Sequence, residues 1–271
     1  MPYALFRCCV TNRLFQEYET ATDTVLHALD MPVEDLREFG CCGYPLRNVD
    51  YTASMYSAAR NFALAGRAGM DMLTVCNCCF GSLRQAGRAL GRDQGLSDRV
   101  DRELQKEGLR PANQVQVRHV LEVLYNDVGP EALAAKAGAA LEGTKVVMHY
   151  GCHLLRPSDV VDFDNPFDPV ICEELVSAAG GECLEWDRRL DCCGAPLAGI
   201  FDDLSFSMSR QKLEAASQAG AHYLLCVCPF CHLQFERVRA DMLKKGQKLP
   251  PVLSMIQLLA SALGREQNMV A

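Results

Sequence analysis

The sequence predicts an α/β protein of two pseudo-symmetric repeats, each centred on a CCG triplet, with mainly parallel strands and cysteine-bearing loops at the strand ends. Three observations carry that expectation. The hexapeptide CCGYPL at residues 41–46 returns as CCGAPL at residues 192–197. Other cysteines fall at matching distances around each copy. A gap of 31 residues separates Cys9 from the first pair and one of 33 separates that pair from Cys76 and Cys79; the gaps are 39 from Cys152 to the second pair and 34 from that pair to Cys228 and Cys231. Short apolar runs also alternate with helical patterns, which favours parallel strands crossed over by helices. The repeats are expected to span residues 1–143 and 144–271.

In the first repeat, YALFR at 3–7 reads as a strand that ends at Cys8 and Cys9. Tyr18, Ala21, Val25, Leu26 and Leu29 recur at helical spacing over 16–29. MPVEDLREFG then leads into Cys41. Asp50 or Thr52 is suited to cap a long helix over 52–68 that stops near Gly69. DMLTVC at 71–76 reads as a strand delivering cysteines at its C-terminal end, with a helix from about 80 to 90. Residues 91–112 are charged and punctuated by glycine, a solvated helix or loop. Residues 115–129 form a short strand and a helix, and 130–141 a helix with Pro130 in its first turn.

The second repeat restarts the pattern with a strand, KVVMHYGC at 145–152. The turn-rich stretch 157–169 supplies its extra length, and a helix ending in glycine follows over 169–181. CLEWDRRLDCCG runs into the second pair. A helix at 204–220, a strand at 222–228, a helix at 232–243 and a strand–helix unit at 250–264 complete the repeat. The cysteines thus fall just past strand ends, where open α/β sheets present their ligand loops.

A net charge of −7 disfavours nucleic acid as a partner. No apolar run reaches the roughly 20 residues that span a bilayer. The opening MPYALFRCC lacks the pattern of a signal peptide, so a cytoplasmic location is expected. Disulfides are rare there, and 15 cysteines in such a chain point to metal or redox chemistry. CxxC places two sulfurs in one turn, a common arrangement for zinc or iron–sulfur ligation. The glycine after each adjacent pair lets backbone approach a bulky inorganic core. Five cysteines per repeat exceed the four that zinc or a cubane cluster uses. Two 4Fe–4S clusters of unusual connectivity account for that surplus, as does one spare cysteine per repeat. A thioredoxin-like redox pair at Cys228 and Cys231 and structural zinc in both halves are the competing readings. Cys8, Cys78, Cys172, Cys183 and Cys226 have no counterpart in the other half and read as small buried hydrophobes, although Cys8 and Cys78 adjoin the presumed ligands.

The doubled C…CCG…CxxC pattern resembles the cysteine-rich CCG domain, and the chain is most similar to the family of B-type subunits of heterodisulfide reductase. The resemblance rests on YALFRCC, VCNCCFGSL around Cys76, VRHVLEVLYNDVGP at 117–130, HYGCHLLRPSD at 149–159 and VCPFCHLQF at 227–235, and covers nearly the whole length. It implies two non-cubane 4Fe–4S clusters. Cys9, Cys41, Cys42, Cys76 and Cys79 would hold one, and Cys152, Cys192, Cys193, Cys228 and Cys231 the other. It also implies that a disulfide docks between them and receives one electron per sulfur. The sequence has no ferredoxin motif of closely spaced cysteines. Electrons are therefore expected from partners, by resemblance a ferredoxin-like subunit that is itself fed by a flavin-containing subunit. No G-x-G-x-x-G follows a strand, so pyridine nucleotide is not expected. An electron-transfer role in another CCG-containing complex, acting on lactate, glycolate or fumarate, is the alternative.

His153 and His232 each follow a presumed ligand and are candidate proton donors to departing thiolates. A hydrogen bond to cluster sulfide is the competing role. His119 and His149 lie in apolar segments and read as structural histidines with satisfied hydrogen bonds. Arg13, Arg47 and Arg156 follow cysteine-bearing turns and are candidates to hold anionic groups of a substrate. Pro45 and Pro196 are expected to fix the turn after each glycine, in cis or trans.

Overall fold

Two four-stranded parallel sheets form the protein, one from each repeat. The structure, a computed structural model, describes residues 2–112 and 114–264, apart from the side chains at 12 and 13. The first sheet has the order β2-β1-β3-β4, from β1 (Tyr3–Phe6), β2 (Val33–Glu34), β3 (Met72–Thr74) and β4 (Val117–His119). The second has the order β6-β5-β7-β8, from β5 (Lys145–His149), β6 (Glu182–Cys183), β7 (Tyr223–Cys226) and β8 (Val252–Ser254). Every pairing is parallel. The α/β expectation holds, with one addition per sheet. The edge strands β2 and β6 fall in stretches left without an element by the sequence. At two residues each they are too short to show alternation, and only pairing with β1 and β5 defines them.

The register explains why the repeats look alike. Phe6 pairs with Thr74, two residues before Cys76, and His149 pairs with Cys226, two residues before Cys228. Three residues beyond Phe6 and His149 stand Cys9 and Cys152. Equivalent strand ends therefore release equivalent cysteines into one region. Central strands carry buried side chains throughout, including Leu5, Phe6, Leu73, Val147 and Leu224. Burial on both faces is what a parallel sheet covered by helices requires.

The helices are α1 (Thr11–Leu14), α2 (Gln16–Ala28), α3 (Tyr51–Arg67), α4 (Asn77–Arg92), α5 (Gln94–Lys106), α6 (Val120–Val123) and α7 (Pro130–Ala137). The second repeat adds α8 (Cys152–Leu155), α9 (Ser158–Val161), α10 (Ile171–Ala178), α11 (Asp202–Gln218), α12 (Pro229–Lys244) and α13 (Met255–Leu263). Asp50 caps α3, its carboxylate accepting from the Ala53 amide at 2.9 Å. The charged stretch 91–112 contains α5, capped by Asp93 and burying Leu96, Val100 and Leu104. Those apolar residues recur every fourth position, and the charges between them face water. Helix α4 starts at Asn77, three residues earlier than the sequence suggests, so the first CxxC lies on its opening turn. Within the turn-rich 157–169, α9 is a single turn. The described residues hold one cis peptide, Arg156–Pro157; Pro45 and Pro196 sit in trans within short 3₁₀ turns.

The repeats exchange helices. Helix α13, which follows the last strand of the second repeat, packs along α2 of the first. Helix α7 and the π-turn Leu124–Val128, which follow the last strand of the first repeat, pack against α10 of the second. Each repeat therefore relies on the other to cover its sheet. At the centre of this arrangement the buried Tyr18 hydroxyl lies 3.1 Å from the Val75 carbonyl and 2.9 Å from the Val227 carbonyl. These are the residues just before Cys76 and Cys228. Tyr18→Phe leaves both carbonyls without that donor, and an unfolding free energy lower by about 1–3 kcal/mol is expected. Urea titration under anaerobic reducing conditions checks it; an unchanged midpoint would show that the carbonyls find other partners.

Candidate metal centre

The first cysteine set is assembled by α3, α4 and the end of β1. Cys76 occupies the N-cap of α4 and Cys79 its first turn, both buried. Gly43 adopts φ +87°, and a Cβ there would stand 2.4 Å from the Ser54 carbonyl oxygen. Only glycine lets the loop press onto α3 so closely. Helix α3 then holds the loop with side chains: Ser54 Oγ donates to the Gly43 carbonyl, Ser57 Oγ and Asn61 Nδ2 to the Cys41 carbonyl. The Gly43 amide points at Cys41 Sγ from 3.4 Å. The Cys42 thiol reaches those of Cys41 and Cys79, and Cys8 reaches Cys76, Cys79 and Cys9.

The second set repeats this construction. Cys228 is the N-cap of α12 and Cys231 lies in its first turn. Gly194 adopts φ +86° against α11, and its amide points at Cys192 Sγ from 3.4 Å. Ser205 Oγ donates to the Gly194 carbonyl and Ser209 Oγ to the Cys193 carbonyl, and Gln234 braces both serines at 3.0 Å. Cys152 reaches Cys192, Cys193 reaches Cys192 and Cys231, and Cys228 reaches Cys231.

The two sets abut. Cys78 Sγ and Cys228 Sγ lie 3.7 Å apart. A cavity of about 160 Å³ opens beside them, walled from both repeats by Tyr44, Cys78, Cys152, His153, Cys228 and Phe230. Two short inter-repeat contacts hold its sides. Asn77 Nδ2 donates to the Tyr150 carbonyl at 2.6 Å. Gly81 of α4 admits the His153 carbonyl, which a Cβ would meet at 2.7 Å.

The thiols share protons. Cys42, Cys192 and Cys228 are held well below the ordinary thiol range, chiefly by hydrogen bonds from Cys41, Cys152 and Cys231 respectively. Those donors are pushed up. Sulfurs this close cannot all ionise without a cation to balance them. Buried, soft thiolate donors free of disulfides select zinc, copper(I) or iron–sulfur groups. The donor chemistry therefore fits an iron–sulfur site.

The structure gathers all ten expected cysteines and brings in two more. Cys8 and Cys78 were expected as small buried hydrophobes, yet Cys8 lies within 4.8 Å of the Cys76 and Cys79 sulfurs, and Cys78 within 4.8 Å of Cys76 and Cys228. A strand end and a helix's first turn set their directions, which spacing alone does not show. Cys172, Cys183 and Cys226 sit in α10, β6 and β7. Of the proton-donor candidates, His153 forms part of the cavity wall, its ring 4.9 Å edge-on from Tyr44. His232 instead stacks on Phe15 at 5.0 Å, and burial pushes its pKa down to about 4. His119 is structural but only half satisfied: Nδ1 accepts from the Leu121 amide at 3.3 Å to cap α6, the ring packs between Phe80 and Phe163, and the buried Nε2 has no partner. His149 departs from expectation. It is fully buried, neither ring nitrogen has a partner, and a ring nitrogen lies within 4.8 Å of the Cys193 and Cys231 sulfurs. Arg47 lies over the Tyr44 ring at 4.2 Å, Arg156 is exposed, and the Arg13 side chain lies outside the described residues.

The family described as "CCG: Cysteine-rich domain" matches residues 3–84 and 146–236, the segments that carry the two cysteine sets. A solved structure of a hypothetical protein from Helicobacter pylori shares the fold, with a TM-score of 0.73 at 15% identity; it covers 98% of this chain, which spans 49% of that one. The B-type subunit of the ferredoxin/F(420)H(2)-dependent CoB-CoM heterodisulfide reductase of Methanosarcina acetivorans is 35% identical over 96% of this chain and 89% of its own. The "8-methylmenaquinol:fumarate reductase membrane anchor subunit" of Wolinella succinogenes is 29% identical over 97% of this chain and 92% of its own. The chain belongs to the cysteine-rich CCG family and, within it, to the family of B-type subunits of heterodisulfide reductase. It is an oxidoreductase subunit. Among the described residues no helix is long and apolar enough to cross a membrane.

Burial gives the histidines a pH signature. His119 is pushed down to about 3 by desolvation, whereas an unfolded histidine titrates near 6.5. Between those values the unfolded chain binds a proton that the folded chain refuses. Stability is therefore full above about pH 6.5 and falls as the pH drops, by up to about 1.4 kcal/mol per unit for this residue. His119→Asn keeps a side chain able to cap α6 and removes the titration. Urea midpoints at pH 7 and 5.5 should differ less in this variant than in the wild type; an equal difference would refute the assignment.

Proposed function

We propose that this chain is the catalytic subunit of a heterodisulfide reductase-like complex, cleaving a disulfide in the cavity between its two cysteine sets. The observation that supports this reading best is that cavity, walled from both repeats at the point where Cys78 and Cys228 stand 3.7 Å apart. In this reading Cys9, Cys41, Cys42, Cys76 and Cys79 form one ligand set, and Cys152, Cys192, Cys193, Cys228 and Cys231 the other. These residues would hold two non-cubane 4Fe–4S clusters, which would supply one electron each; a disulfide needs two electrons and two protons to give two thiols.

The chain's own residues account for the rest. Tyr44, Phe230 and Pro196 give the cavity apolar walls that exclude water. At about 160 Å³ it has room for the S–S bond and a few flanking carbons, and the remainder of the substrate extends outward. Arg47, stacked on Tyr44 and half-buried, is placed to hold an anionic group there. His153 is the better placed of the two proton-donor candidates, because it touches the cavity and His232 does not. Burial lowers its pKa, so it rests neutral near pH 7 and must take up a proton before passing one to a thiolate. The coenzyme M–coenzyme B disulfide or a related one is the substrate. Electrons arrive in the cytoplasm from a ferredoxin-like subunit, itself fed by a flavin-containing subunit. The Methanosarcina relative is named for ferredoxin or F(420)H(2) as the donor to its own complex.

Anaerobic purification with iron and acid-labile sulfide analysis tests the metal reading, and EPR of the oxidised protein with added thiols tests the substrate site. A paramagnetic signal that depends on the thiol is expected. Zinc without labile sulfide would overturn the cluster reading, and clusters indifferent to every thiol would favour an electron-transfer role, as in the relative named for fumarate reductase. Cys193→Ser is expected to lose about half the iron and all disulfide cleavage while the first set stays loaded; full iron retention would show that the ligand assignment is wrong.

A further inference from the structure

The two cysteine sets share a scaffold but not their surroundings. Phe6 and His149 occupy equivalent places, since each pairs with the residue two before the first cysteine of its CxxC. Asn61 and Lys212 are equivalent as well. Each stands seven residues after the serine, Ser54 or Ser205, that bonds the CCG glycine carbonyl, on the helix that holds that loop. Their tasks match: Asn61 bonds the Gly40 amide and the Cys41 carbonyl, and Lys212 donates to the Arg188 and Asp191 carbonyls. Their charges do not match. At these two positions the first repeat carries a neutral amide and an apolar ring, and the second an ammonium and an imidazole.

Lys212 is 1% exposed, with its ammonium 4.8 Å from the centre of the Trp186 ring. Two backbone carbonyls, not a carboxylate, take its hydrogen bonds. Its field is felt at Cys193, Cys226 and Cys231 and at His149, with Asp191 the acidic group that faces it. Burial lowers its pKa to about 8, whereas Asp191 and the two carbonyls that take its hydrogen bonds favour the ammonium form. His149 carries an N–H in either tautomer, and neither nitrogen has a partner although the side chain is fully buried beside Cys193 and Cys231. A buried donor without an acceptor is costly, and an inorganic sulfide or thiolate at this position would satisfy it.

We propose that the second cysteine set, flanked by Lys212 and His149, holds its iron–sulfur group at a higher reduction potential than the first. This rests on the reading of the ten cysteines as ligands of two such groups. Reduction adds negative charge, and both a nearby cation and an N–H directed at sulfur favour the more negative state. Cys9 is the one exposed member of the first set, and water there acts in the same sense on that group. A formal charge in buried surroundings is the stronger effect. One electron entering from a one-electron donor therefore settles on the second group, which is reduced as the donor is oxidised, while the first group is unchanged. The two ends of the cavity are then inequivalent, and the sulfur beside Cys152 and Cys193 is the first to be offered an electron.

The test is an EPR-monitored redox titration of the full chain, loaded anaerobically with iron and sulfide. The wild type should show two one-electron waves. Lys212→Met should move the upper wave down so that the reduced-to-oxidised ratio at fixed potential falls at least tenfold, which is about 59 mV for one electron. His149→Phe, which places at this position the residue the first repeat carries, should move the same wave in the same direction. Asn61→Leu should leave the upper wave in place. Iron and sulfide counts on each variant separate a shifted potential from a lost group. Should Lys212→Met fail to load, His149→Phe decides alone. Two wild-type waves at one potential, or variants that move only the lower wave, would overturn the inference and leave the cluster reading standing. A wild-type chain that takes up no iron and sulfide would sink that reading, and this inference with it.

Discussion

The architecture depends on bringing two parallel strand ends together. Strands β3 and β7 finish just before Cys76 and Cys228, and the Tyr18 hydroxyl lies within hydrogen-bonding distance of the carbonyls of Val75 and Val227 at once. A phenol has one proton, so the two carbonyls must share it, and both must stay close to do so. That constraint couples the halves where their cysteines emerge. Asn77 and Gly81 extend it on one side, the first by bonding the Tyr150 carbonyl and the second by leaving room for that of His153. The cavity between the sets is a consequence of this close seating.

Pseudo-symmetry supplies two sites from one plan, and the departures from it are where chemistry differs. Cys8 and Gly151 hold equivalent positions, one residue before Cys9 and Cys152. A side chain at Gly151 would run into Asn77 Nδ2 at 2.8 Å, and the backbone there needs φ +77°. At Cys8 a thiol fits and joins Cys76 and Cys79. The first set thus has a sixth sulfur at hand, and the second has His149 near its sulfurs. Exchange of helices α13 and α7 between repeats makes these differences mutual, because neither sheet is covered without the other repeat.

The family relationship places the chain among oxidoreductase subunits, and the site shows why such proteins come with partners. The sulfurs lie inside the chain, with Cys76, Cys79, Cys228 and Cys231 all buried. The exposed members, or near-exposed ones, lie on the CCG loops and strand ends. Apolar side chains stand in water beside both loops, Val49 and Tyr51 on the first and Ile200 and Phe201 on the second. Patches of this kind commonly mark contact surfaces.

The repeat, the ten-cysteine pattern and the alternation of strands with helices were all legible in the sequence. Each of these is local: a hexapeptide written twice, sulfur spacing along a turn, and periods of two or 3.6 residues. A cap at Asp50 or Thr52 was legible for the same reason, and the structure decides for Asp50. Everything that depends on neighbours distant in the chain waited for the packed molecule. Strands β2 and β6 exist only through pairing, at a length that carries no period. The reach of Cys8 and Cys78 into the sulfur sets follows from where a strand and a helix point them. His149 looks like any histidine in an apolar run, and only the position of β5 against α12 leaves its ring without partners beside two sulfurs. Nothing in the local sequence marks Lys212 as buried. Its burial against the loop before Cys192 is set by the packing of α11, where its ammonium serves a loop carbonyl that needs a donor.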